Sequence, residues 1–583
     1  MTERPEDWLI AGGTVVDGTL APARRADVRI RDGRIAAIAP SLAPEPGERV
    51  FDATGCHVAP GFIESHTHLD GVMWWQPDLA PLPGNGVTTV IGGNCGFALA
   101  PVHEDPKVRE EVIQIFSFFE DFPKGPFHSH LPWDWRTWSD YRASVERHVR
   151  TPIHYAAFVG HIALRLAVMG MAAWERAATA DEISRMAALF DDALRAGALG
   201  LSTNLMDHDG QDRAVPSLKA DDAELRALLE VLARHPGATI QVVIDSLMRM
   251  TSVPSMERLS RLADDLPIRM QWVGVPTLAW QRDMGIQQPL TAIHERFAAE
   301  GRDYWTGFMH VPITTVASIQ HSLLFAQSNE YVWHEVVTAQ TEAEKLALLR
   351  DPEWRRRARH SWDHDAIKIS FFPAPQGTVL DNSANDVGPV GITLGEYAAQ
   401  LGVHCSDALA EWFVRNGVTS TVTMPPWPKD EEMVVRLLKD PMTVGNISDA
   451  GAHGQMFCGI GYNVMLFSHF VRKTGALSIE EAVHVQTGKL ARHFGLGDRG
   501  ELAVGKRADV TVFDLAEVEI RAQKKIFDVP DGEGGTTWRW TRDPAPVRLT
   551  LVEGVPTFEN GEFTKARPGR FLAPTRPEVD GAT

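Results

Sequence analysis

The residues best placed to do chemistry stand in PGFIESHTHLD (60–70), where His66 and His68 flank Thr67 at the end of an apolar run. On a strand, positions i and i+2 face the same way, so the two imidazoles point together. Neutral imidazoles suit zinc and similar divalent ions. Alone, the pair reads equally well as two polar residues where a strand meets water. Two further segments sharpen it. NGVTTVIGGNCGFALAP (85–101) sets Cys95 between Asn94 and Gly96 at a strand end, where a thiolate can reach a metal. A lone cysteine is more often a small buried hydrophobe. NISDAGAH (446–453) sets Asp449 at the end of a later strand. A carboxylate there binds a metal or carries a proton, or merely caps a turn.

Such groups need a frame to bring them together. Eight short apolar runs read as strands: 58–65, 87–94, 153–160, 199–204, 239–245, 268–275, 303–311 and 443–448. Segments with i, i+3, i+4 apolar spacing, such as 181–197 and 222–235, lie between them. Strand–helix alternation implies parallel strands covered by helices, and eight units predict a closed (β/α)8 barrel. In that frame His66, His68, Cys95 and Asp449 all fall at the C-terminal mouth, where barrel active sites sit. The chain ends differ from the middle. Residues 8–38 and 501–562 carry short β-rich runs broken by Gly and Asp-Gly turns, which predict a small β-sandwich built from both termini. The expected organisation is therefore 1–57 and 489–583 as the two parts of the β domain, with the barrel at 58–488. Residues 101–150 and 312–442 are insertions after the second and seventh strands, of the kind that form lids or substrate walls.

Composition excludes several classes. A net charge of −19 argues against a nucleic-acid or anionic-membrane surface, which needs clustered Lys and Arg. Four cysteines among 583 residues make no disulfide framework. No membrane span stands out, since 152–174 is interrupted by His154, His161 and Arg165. The N-terminal MTERPEDWLIAGG lacks the basic-then-apolar pattern of a signal peptide. The expectation is a cytoplasmic protein acting on a small molecule, with a homo-oligomer left open.

PGFIESHTHLD, NGVTTVIGGNCGFALAP, FVGHIALRLAVMG (158–170), AGALGLSTNL (196–205), SDAGAH and LARHFGLGDRGELAVGKRADVTVFD (490–514) occur in an order that resembles the amidohydrolase superfamily. Within it they resemble the N-acyl-D-amino-acid deacylases (D-aminoacylases), over nearly the whole chain. The resemblance implies a zinc-dependent hydrolase of an amide C–N bond in a small N-acylated substrate. It implies His66, His68, Cys95 and Asp449 as metal ligands and Asp449 as proton carrier to a metal-activated water. His161 matches a family histidine and is a candidate substrate contact or a structural hydrogen bonder. Arg165 could fork a substrate carboxylate or equally make an internal ion pair, and Ser202, which closes strand four, could donate to substrate. The pattern breaks at strands five and six, where the family carries a histidine each. Here they read TIQVVID and IRMQWVGV, with Gln241, Asp245 and Gln271 in their place, and the expected lysine is also missing. A single divalent ion, zinc first, is the expectation that follows. The competing readings are a mononuclear hydrolase of an ester, lactone or cyclic amide, and a silent homologue that only binds a ligand. His208, His310, His321 and His453 are further histidines within reach of the mouth, each better explained singly as a solvated or satisfied side chain.

Overall fold

A computed structural model of the chain describes residues 6–209, 213–245, 252–320, 332–364 and 375–575. His321 lies outside them.

All eight sequence runs contain strands. They are β1 (Phe62–Glu64, continued by His66–Thr67), β2 (Val87–Gly92), β3 (His154–Ala157, continued by Val159–Gly160), β4 (Gly200–Leu205), β5 (Thr239–Ile244), β6 (Arg269–Val273), β7 (Tyr304–Gly307) and β8 (Thr443–Val444, continued by Ile447–Ala450). Neighbours pair in parallel from β1 to β8 in sequence order. The ring closes where Ile447–Ala450 of β8 pairs in parallel with His66–Thr67 of β1. Three strands hand over between neighbours through a break. The first half of β1 pairs with β2 and its second half with β8, and β3 and β8 divide in the same way. Every residue of β2 and β4 is buried, as expected of parallel strands covered on both faces.

Helices follow the strands as the periodicity predicts. The pattern at 181–197 is the helix Ala180–Arg195, which starts at Thr179 with a reciprocal Thr179–Glu182 capping box. The pattern at 222–235 is the helix Asp222–Ala233, capped by Asp221. Among the described residues, no helix is long and apolar enough to cross a membrane.

The insertion after β2 supplies three helices, Pro106–Glu120, Gly125–His130 and Trp138–His148. The one after β7 has its own core, in which Trp333, Trp354, Trp412 and Phe413 pack under helices that include Leu394–Leu401 and Cys405–Asn416. A three-stranded sheet of Thr315–Ala317, Thr421–Met424 and Val379–Asn382 completes it.

Strands from the two chain ends pair directly. His57–Pro60 runs antiparallel to Val510–Phe513 inside a seven-stranded sheet. A four-stranded sheet of N-terminal strands, among them Trp8–Ala11 and Asp27–Arg31, shares a core with it through Trp8, Ile10, Val28, Val58, Val510 and Leu549. The sequence run at 58–65 thus spans two structures, its first residues belonging to the terminal sheet and Phe62–Glu64 to the barrel.

Candidate metal centre

Four of the residues singled out by sequence converge at the barrel mouth. His66 Nε2 lies 3.1 Å from Cys95 Sγ, and His68 Nε2 lies 3.7 Å from the same sulfur. Donor atoms of His66, His68 and Cys95 all fall within 4.8 Å of one another, and among the described residues they form a group able to hold a metal ion. Asp449 Oδ1 approaches from the β8 side, 3.4 Å from His66 Nε2 and 3.9 Å from His68 Nε2. Zinc bonds of ~2.0–2.3 Å in a tetrahedron separate donors by ~3.3–3.8 Å. The spacing of the cluster therefore fits such an ion.

The local backbone is held to this shape. Cys95 sits at φ +58°, followed by Gly96 at +77°, so the chain turns sharply out of β2. Side chains of other strands tie the turn down. Cys95 N–H donates to Gln241 Oε1 of β5 at 3.0 Å, and Gly96 N–H donates to Ser202 Oγ of β4 at 3.0 Å. Ser202 Oγ in turn donates to Gly93 carbonyl O, and Asn94 Nδ2 donates to Thr67 O of β1 at 3.1 Å. Asp449 is also left-handed, at φ +52°. Asp tolerates that region better than most residues, and its use here aims the carboxylate at the histidines.

The electrostatics of the cluster follow from its burial and its neighbours. Burial pushes the Cys95 thiol up to about 12. Burial, with His68 and His453 nearby, holds His66 well below its usual value. Burial opposes protonation of His68 too, but Glu120 and Cys95 outweigh it and raise His68 well above normal. Burial also raises the Asp449 carboxyl. Soft sulfur, two imidazoles and a carboxylate in a dry site are a zinc-type donor set, and a cation there would favour the ionised thiol and carboxylate.

Glu120 is the residue that sequence reasoning missed. Its Oε1 lies 2.9 Å from His68 Nδ1, both side chains being buried. The pair is close enough for an ion pair with Nδ1, and it leaves Nε2 facing Cys95. Glu120 ends the helix Pro106–Glu120 on the face that buries Val108, Val112 and Phe116. An acid continuing an apolar i, i+4 stripe is the signal that could have found it.

The expected substrate contacts are placed elsewhere. His161 begins the helix His161–Met169, and both its ring nitrogens are engaged, Nδ1 with Thr203 Oγ1 and Nε2 with Glu224 Oε1, each at 2.8 Å. Arg165 pairs with the other oxygen of Glu224 and donates to Arg176 O, wholly buried. Ser202 supports the Cys95 turn. None of the three lines the mouth cavity. Removing one member of a buried ion pair strands the other. Glu224→Gln is expected to cost about 3–5 kcal/mol in urea unfolding while leaving the mouth intact. Burial raises the Glu224 carboxyl, but the bonds from His161 and Arg165 outweigh it, so the net shift is downward. Its contribution is then fully present above the unfolded value, ~4.3, and lost as pH falls through the folded value. The wild-type advantage over Glu224→Gln should shrink in acid.

At strands five and six, Ser202, Gln241, Gln271 and Trp305 stand side by side in register. Gln241 bonds the Cys95 turn, whereas Gln271 Oε1 lies 2.9 Å from His493 Nε2 of the helix Gly488–His493. Asp245 is buried beyond the end of β5. His453 lines the cavity beside Asp449, and His310 is buried with Nε2 on Tyr462 O at 3.0 Å.

The cavity above the cluster holds ≈ 350 Å³ and is walled by Phe97, Phe119, Phe308, Trp427 and Phe457. The amidohydrolase family matches the sequence over residues 49–558. The chain belongs to the amidohydrolase family. It is a hydrolase of carbon–nitrogen bonds other than peptide bonds. The D-aminoacylase of Alcaligenes xylosoxydans xylosoxydans is 27% identical over 98% of this chain and 98% of its own length. The N-acyl-D-aspartate deacylase of the same organism is 28% identical over 97% and 95%. Among solved structures, a D-aminoacylase with a binuclear metal centre, activated by one metal and attenuated by the second, superposes with a TM-score of 0.64 at 25% identity. That match covers 98% of this chain and 100% of the other. The N-acyl-D-glutamate deacylase of Bordetella bronchiseptica, bound to zinc and a phosphonate mimic of the tetrahedral intermediate, gives the same TM-score, identity and coverage. These relatives agree with the family resemblance and barrel frame read from sequence.

Proposed function

We propose that this amidohydrolase cleaves the amide of a small N-acylated substrate, resembling the N-acyl-D-amino-acid deacylases, with one divalent ion, zinc first, held by His66, His68 and Cys95 and by Asp449 as a fourth ligand that can loosen. The observation that carries the reading is the convergence of the first three donor atoms, with Asp449 alongside, at the inner end of an apolar cavity. The ion, when bound, supplies Lewis-acid chemistry, activating water and polarising the amide carbonyl.

The protein's own groups do the rest. Glu120 pairs with His68 Nδ1 and leaves Nε2 facing Cys95. Asp449 Oδ1, close to both histidines, takes the proton of the attacking water and returns it to the leaving nitrogen. The aromatic walls exclude bulk water and strengthen each charge interaction at the mouth. A single ion is supported by β5 and β6, which offer neutral amides that already bond the Cys95 turn and His493. The two terminal sheets are read as a small β-sandwich beside the barrel, supported by their shared core.

The test is amine release by the zinc-loaded protein from N-acyl-D-amino acids, compared with N-acyl-L-amino acids, esters and lactones. Amide cleavage that is lost on chelation and restored by zinc supports the reading. Cleavage of esters or lactones alone rejects it in favour of the alternative hydrolase, and ligand binding with no turnover makes the protein a silent homologue. Glu120→Gln should weaken zinc affinity ~10- to 100-fold in competition with a chromophoric chelator.

A further inference from the structure

The mouth cavity is lined by a lysine amine that the chemistry above does not use. Among the described residues lining it, Lys429 is the only lysine or arginine. Its Nζ donates to Thr277 Oγ1 and to Met309 O, each at 3.0 Å, both of them neutral acceptors. An ammonium carries three donors, so one N–H remains for the cavity. Among the described residues no carboxylate forms an ion pair with it. Burial alone pulls its pKa down to about 7.

The side chain is not there by slack. Its segment is pinned to the loop after β6 by Ala279 N–H on Pro428 O at 3.0 Å and Asp430 N–H on Thr277 O at 2.8 Å. Leu278 and Lys429 form a β-bridge. The insertion after β7 thus delivers one amine to the rim of β6 and β7, where Ile313, Trp427 and Phe457 line the cavity together with Asp207, Thr277 and Gln281. Lys429 is half-buried, and a partly desolvated amine with only neutral partners gains from a ligand that supplies the opposite charge.

We propose that Lys429 anchors an anionic group, of the carboxylate class, on a substrate whose body is apolar. The acyl or side-chain bulk lies against Phe97, Phe119, Ile313, Trp427 and Phe457, and the carboxylate takes the free N–H of Lys429. This rests on the hydrolase reading for the scissile amide, but not for the anion.

The test is therefore equilibrium binding to the full-length zinc-supplemented protein by calorimetry. The probes are phenylbutanoate, which has a carboxylate on an apolar body and no scissile bond, and the matching alcohol, phenylbutanol. The wild type should prefer the carboxylate about ten- to a hundred-fold. Lys429→Met should lose that preference while keeping its affinity for the alcohol, and Lys429→Arg should recover part of it. No preference in the wild type overturns the proposal. A preference that survives Lys429→Met places the carboxylate on the metal and also overturns it. Equal loss of both probes in Lys429→Met reads as a collapsed cavity, and without recovery in Lys429→Arg it too overturns the anchor. A Lys429-dependent preference in a protein that cleaves no amide leaves the anchor standing and removes the hydrolase reading.

Discussion

His66→Ala should release the metal. Zinc content by elemental analysis is expected to fall from about one ion per chain to below about one-tenth, because losing one of the three firm donors leaves too few bonds. The same variant should lose the zinc-dependent rise in melting temperature. Ligand present at a hundred times its Kd stabilises the folded state by about 2.7 kcal/mol, and a protein that does not bind gains nothing. His66 is buried against Cys95 and Asp449, so a circular-dichroism comparison with the metal-stripped wild type separates lost binding from lost folding. A full equivalent of zinc retained by a folded His66→Ala protein would show that the cluster is not the centre.

The second large effect belongs to the proton. Asp449→Asn keeps the size and the left-handed backbone position, to which Asn is also suited, but cannot accept a proton. The turnover number should drop about 10²- to 10⁴-fold. Zinc should be kept, since the mutual group of His66, His68 and Cys95 does not include Asp449. Steady-state kinetics and metal content on the same sample check both halves. Unchanged turnover at full zinc occupancy would reject Asp449 as proton carrier. Loss of both zinc and turnover would instead make its carboxylate a necessary ligand.

The barrel was legible because short β-branched runs such as VTTVIG alternate with helical periodicity. GLSTNL, whose Ser202, Thr203 and Asn204 are buried polar residues, is marked by that alternation and not by apolarity. The metal donors were legible for a related reason. Strand alternation fixes which way His66 and His68 point, and a strand end fixes the height of Cys95 and Asp449. Glu120 was hidden because its partner is 52 residues away in the chain, across a helix whose docking is a tertiary event. His161 shows where the strand argument fails. It stands at the junction where β3 becomes a helix, and the first helical turn swings its ring outward to Glu224 instead of into the mouth. Arg165, one turn on, follows it. The second core inside 312–442 was visible only as isolated helical patterns, because contacts such as that between Trp333 and Trp354 join segments that are separately unremarkable.

The closure of β1 against β8 has a consequence in time. His66 and His68 lie on one side of that seam and Asp449 on the other, with Ser65 Oγ donating to Gly445 O across it at 2.7 Å. A chain leaving the ribosome has its histidine pair and Cys95 long before the last strand exists. Until residue 449 has emerged and the ring has shut, the site lacks its carboxylate wall and its eighth-strand neighbour. Asp449 therefore meets the two imidazoles only once the ring has shut, so the proton carrier is the last part of the site to arrive.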